Sequence, residues 1–129
     1  MTSRAAVQTL LETDAHLQAL GFGTVYGSNA ADDVSESRFL IVTWQGTQAA
    51  FGSRGTDSVL VWAHDRDRDY AAIDAALSRV RAILTEAVHV AGSDGRILTV
   101  ARWNGCSEDA YDDGYRTVTK NAEFSLLSR

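Results

Sequence analysis

The chain has 129 residues, 45% hydrophobic and 22% charged, the size and composition of one globular domain spanning 1–129. Seventeen acidic against twelve basic side chains leave a net charge of −5, and the only lysine is Lys120, which argues against a basic face for nucleic acid or anionic membrane. Cys106 is the only cysteine, so no disulfide can form within the chain, and no window reaches the run of about 20 apolar residues that a membrane-spanning helix needs.

Met1 to Glu12 lacks the apolar stretch of a secretory signal, so a cytosolic product is expected. Val7, Leu10, Leu11 and Leu17 recur at helical spacing after Ser3, a plausible N-cap, and Gly21 stands where a helix would stop. This spacing predicts one amphipathic helix over 4–20. Residues 22–27 predict a short strand, and the polar run 28–33 a surface loop. Phe39 to Trp44 is an unbroken β-branched and aromatic run, the pattern of a strand covered on both faces.

Ser58 to His64 reads as a second strand, antiparallel to the first. The intervening stretch 46–57, rich in glycine and poor in apolar anchors, is expected to be the least ordered part of the chain. Asp65, Asp67 and Asp69 alternate with Arg66 and Arg68 ahead of the clearest helix, 69–87. There Ile73, Leu77, Val80 and Leu84 form an apolar stripe that Asp67 or Asp69 can cap. A turn at 92–95, a strand over 96–103, an acidic loop over 107–114 and a last strand over 115–127 complete the chain. The expected fold is α+β: a mostly antiparallel, four- to five-stranded sheet with two helices packed on it, in the order α-β-β-β-α-β-β.

Motifs of chemistry are weak. Gly21 and Gly23, and Gly52 and Gly55, lack the Lys-Ser/Thr ending of a phosphate loop. His16, His64 and His89 have no partner at metal-ligand spacing. The Asp65–Asp69 run lacks the central glycine and closing glutamate of a calcium loop and reads as a helix cap. Cys106 follows Asn104-Gly105 with no base beside it in sequence. No catalytic residue, metal or cofactor is expected, and the chain is read as a non-enzyme. Trp44, Trp62 and Trp103 fall in predicted strands, as core or half-buried positions, with at least one a candidate contact to a partner.

From Val59 onward the chain resembles the tail-terminator proteins of long-tailed bacteriophages, also called minor tail or tail-completion proteins. The resemblance lies in the strand ending Val61-Trp62-Ala63-His64, the charged cap and helix from Tyr70 to Leu84, the segment Ser107-Glu108-Asp109 with Asp112-Asp113-Gly114-Tyr115-Arg116-Thr117, and the closing strand with Phe124. It implies a structural protein of the virion, at the head-proximal end of the tail, present in host cytoplasm during assembly. Such proteins form a homo-oligomeric ring, usually of six, on the tail tube protein, stop its polymerisation and offer a surface to the head–tail connector. DNA passes through the lumen without specific binding, which an acidic chain suits. A closed ring of this kind needs two different patches per subunit. Arg54, Asp57, Glu108, Asp109, Asp112 and Asp113, on the hairpin tip and the acidic loop, are the candidate interface residues. The alternatives are a head-completion or connector protein, and a small cytosolic ligand-binding domain or enzyme.

Overall fold

A computed structural model describes residues 4–27, 34–49 and 55–128. Two short helices open the chain, α1 (Arg4–Glu12) and α2 (Ala15–Ala19). Three strands follow: β1 (Val25–Tyr26), β2 (Arg38–Ala49) and β3 (Gly55–Asp65). After α3 (Tyr70–Glu86) come β4 (Val90–Ala91), β5 (Ile97–Cys106), β6 (Ala110–Asp112) and β7 (Thr117–Ser128). The strands form one sheet in the order β1-β2-β3-β7-β5-β4, with β6 also paired to β7. Only the β1–β2 pair is parallel among the described residues.

All three helices lie on one face. Period-two alternation in β2, β3 and β7 sends Leu40, Val42, Val59, Val61, Ala63, Ala122, Phe124 and Leu126 toward them. Ile73, Leu77, Val80 and Leu84 of α3 meet these side chains and are at most 3% exposed, so the predicted stripe is the core face. Asp69, not Asp67, caps α3, its Oδ1 accepting from the backbone N–H of Ala71 and Ala72 at 3.0 and 3.2 Å. Among the described residues no helix is long and apolar enough to cross a membrane.

The predicted α+β class and mainly antiparallel sheet hold, but the element count does not. Among the described residues there are three helices instead of two and seven strands instead of four or five. The expected helix over 4–20 is broken at Asp14, whose backbone is extended and whose Oδ2 accepts from Leu17 N–H at 2.9 Å. Leu11 and Leu17, both fully buried, are six residues apart, which on one continuous helix would put them well off a common face. Breaking and restarting the helix at a capping aspartate brings both into the core. Gly21 then ends α2 with φ +90°, Gly21 N–H bonding Gln18 O and Phe22 N–H bonding Leu17 O. Ser3, the expected first cap, lies outside the described residues.

The hairpin of β2 and β3 is longer than predicted. Gly46 to Ala49 pair with Ser58 to Gly55, so most of the expected loop over 46–57 is ladder, and residues 50–54 lie outside the described residues. The expected acidic loop likewise contains a strand. Residues 110–112 pair with Thr117 to Thr119 as β6, which continues the line of β5 along the same side of β7. Ser107 joins the two segments to β7: its N–H donates to Asn121 O, and its Oγ accepts from Asn121 N–H, both at 2.9 Å.

Candidate functional site

The face of the sheet away from the helices carries a small second core at one end. The unbroken run from Phe39 to Val42 is buried on both sides, as its composition predicts. Leu40 and Val42 face the helices, while Phe39 and Ile41 join Val34, Tyr26, Trp62 and Tyr115. The Phe39 ring stacks on the imidazole of His64 with centroids 4.8 Å apart and 3° between planes. Tyr115 meets both rings edge-on at 5.4 Å. Arg66 fastens the segment that covers this core, donating from Nη1 to Glu36 O at 2.5 Å, from Nη2 to Val34 O, and from Nε to Tyr115 O.

His64 is 3% exposed, and its Nδ1 lies 2.8 Å from Thr117 Oγ1. Burial pushes the imidazole pKa down to about 4, against a smaller upward pull from the Asp112 carboxylate. The ring is therefore neutral near pH 7. It lines an open cavity of about 280 Å³ with Ile41, Thr43, Trp62, Asp112 and Tyr115. Trp62 Nε1 donates to Thr43 Oγ1 at 3.1 Å across this wall. The volume lies just below the roughly 300–1,000 Å³ usual for small-molecule pockets.

The acidic segment borders the cavity, and its carboxylates have different environments. Asp112 Oδ1 accepts from Tyr115 N–H at 2.9 Å and shapes the β6–β7 turn. Asp109 lies 3.6 Å from Lys120 Nζ, which itself donates to Asp74 Oδ1 of α3 at 2.7 Å. Glu108 and Asp113 are exposed and form no ion pair among the described residues. Asp57, by contrast, is 7% exposed within β3, and Arg54 lies outside the described residues. The structure thus places Asp112 and Asp113 at the β6–β7 turn and Asp109 at the other end of β6, with Lys120 as its basic neighbour.

On the helix side, exposed Cys106 shares a pocket with Asp74, Leu77, Ser78, Arg81, Trp103 and Lys120, with no histidine among the lining residues. The guanidinium of Arg81 lies 3.8 Å from the Trp103 ring centre, a cation–π contact. No three His, Cys, Asp or Glu side chains converge as a metal site among the described residues. The Asp65–Asp69 run is engaged in turn and cap formation. Asp65, fully buried, accepts N–H bonds from Asp67 and Asp69 and lies 3.5 Å from Arg38 Nε.

No family model matches the sequence, and no curated protein is similar to it at the level of sequence. The fold has a counterpart among solved structures. A virion protein shares it. A chain from the virion of a native gene transfer agent (GTA) particle superposes with a TM-score of 0.70 and 18% identity, over 96% of this chain and 92% of that one. At that coverage the likeness includes the first half of the sequence as well as the second. The His64 cavity was not anticipated. Its one visible signal was the period-two placement of Trp62 and His64 opposite Phe39 and Ile41.

Proposed function

We propose that the chain is a structural subunit of a phage-like particle, and within it a tail terminator. It closes a homo-oligomeric ring, usually of six, on the end of the tail tube and presents a surface to the head connector. The observation that carries this reading is the nearly full-length fold likeness to a gene transfer agent virion chain. The tail-terminator resemblance of the second half narrows it to the tail. The net charge of −5 fits a subunit past which DNA slides without sticking. The acidic segment, with Glu108, Asp109, Asp112 and Asp113, is the contact assigned to neighbours, together with Arg54 from the sequence between β2 and β3; Asp57, buried within β3, is left out of it. A virion scaffold needs no catalytic group, and the cavity at His64 accommodates a partner side chain in this reading.

Electron microscopy of the purified protein with tail tubes tests the assignment. Rings seated on one end of each tube, and tails of uncontrolled length in particles assembled without the protein, are expected. Tails of ordinary length without it would remove the terminator role. Binding to the portal side alone would favour the head-completion alternative.

A further inference from the structure

The pocket between α3, β5 and β7, of about 250 Å³, has a basic wall made by Arg81, Trp103 and Lys120. Helical spacing puts Asp74, Leu77, Ser78 and Arg81 on one stripe of α3. Period-two alternation in β7 sends Lys120 to the same side of the sheet as Ala122 and Phe124. The two cations of this wall are in different conditions. Lys120 donates to Asp74 Oδ1 at 2.7 Å and lies 3.6 Å from Asp109 Oδ1, so its charge is met within the chain. The hydrogen bond to Asp74 raises its pKa above the usual lysine value, which keeps it protonated.

Arg81 has no such partner. Its guanidinium makes no hydrogen bond and no ion pair among the described residues. Asp74 cannot serve it, because seven residues along a helix are a rise of about 10 Å. The guanidinium lies 3.8 Å from the centre of the Trp103 ring. Seated there it is held in place, while its N–H groups point outward and stay free to form a planar fork. The same indole carries a second donor without an acceptor. Trp103 Nε1 is buried and has no hydrogen-bond partner among the described residues, and a buried polar group in that condition calls for an explanation.

We propose that this pocket receives a carboxylate side chain, Asp or Glu, from another protein. The carboxylate accepts from the Arg81 fork, with Trp103 Nε1–H as a further donor on the same wall, and its methylene stem rests against Leu77 and the indole. A nucleic-acid backbone fits less well, because the net charge of −5 and the flanking Asp74 and Asp109 repel a polyanion. A second copy also fits less well. Its exposed Glu108 sits in the acidic segment that borders this pocket through Asp109, so reaching Arg81 would press two acidic segments together. The site rests on its own donors and stands whether or not the chain closes a ring.

Blocked tripeptides Gly-Glu-Gly and Gly-Gln-Gly, equal in shape and different in charge, probe it. One readout is the indole N–H resonance of Trp103, identified by its loss in Trp103→Phe. The other is the rate at which Cys106, in the pocket wall, reacts with neutral dithiodipyridine. At low ionic strength, where screening is least, the Glu peptide should move the resonance saturably and slow Cys106 several-fold. The Gln peptide should do neither. Arg81→Gln, an exposed helix position with similar helix propensity, should keep the unfolding midpoint and lose both responses. Without any peptide, Arg81→Gln should also slow Cys106 several-fold toward dianionic dithiobis(nitrobenzoate) and leave its rate with the neutral reagent unchanged. No saturable response to the Glu peptide, an equal response to the Gln peptide, or responses retained in Arg81→Gln overturn the site. Saturation by a single-stranded oligonucleotide and not by the Glu peptide overturns the carboxylate in favour of a nucleic-acid contact. Self-association that Arg81→Gln abolishes overturns the separate partner in favour of a second copy.

Discussion

Taking the imidazole of His64 out of water between Phe39, Tyr115 and Thr117 leaves a proton acceptor that the folded state holds neutral. Its folded pKa is about 4, against about 6.5 in the unfolded chain. Between these values the unfolded state binds the proton and the folded state does not. Stability is therefore complete above about pH 6.5 and falls as pH drops toward 4, by roughly 3 kcal/mol in all. The loss precedes the protonation of most carboxylates. His64→Gln should remove the slope in this window while retaining a polar group for Thr117 Oγ1, as read by denaturant unfolding at pH 7, 5.5 and 4.5. An unchanged slope would mean that the imidazole is already solvated in the native protein. Sequence alone could not separate His64 from His16 and His89, because its burial comes from β2 and β7, which are far apart in the chain.

Elements were legible where one periodicity ran uninterrupted. The α3 stripe fixed both its boundaries and its buried face, and the apolar run of β2 fixed a strand covered twice. Leu77, 3% exposed in the middle of that stripe, should cost about 2–5 kcal/mol as Leu77→Ala. An unchanged unfolding midpoint would mean that the site collapses around the loss. The single helix expected over 4–20 does not form because its apolar residues change phase across Asp14. That aspartate does two things: it caps α2 and forms a bidentate pair with Arg79 of α3, at 2.7 and 3.0 Å. The Arg79 bond, ahead of the Leu17 N–H bond, holds its carboxyl below the usual range. Asp14→Ala should therefore destabilise by more than the ~1 kcal/mol of an N-cap alone. Asp14→Asn, which keeps a cap acceptor, should cost less. Additive losses for Asp14→Ala and Arg79→Ala in a double-mutant cycle would show that the pair contributes nothing. β1 lies within the short strand expected over 22–27, whereas the two- and three-residue strands β4 and β6 are too short for any pattern. They exist because long neighbours offer them a ladder.

At the scale of the whole molecule, helices close one face of the sheet, and on the other the described residues form the small Phe39–His64 core at one end. The sequence showed the acidic segment but not its division of labour, which depends on Lys120 arriving from β7 and on the turn that Asp112 closes. That division makes the interface assignment testable without disturbing the fold. Glu108 and Asp113 are exposed, so Glu108→Lys/Asp113→Lys should change stability by no more than about 0.5 kcal/mol. Asp112→Ala should cost more, because it frees the Tyr115 N–H from its acceptor. If the turn meets a basic surface on a neighbouring subunit or on the tube end, the charge-reversed pair replaces attraction with repulsion. Association should then weaken, chiefly through a slower on-rate, and the salt dependence of binding should change sign. Equal affinity and equal salt dependence for the reversed and wild-type proteins, with both folded, would take the acidic turn out of the interface.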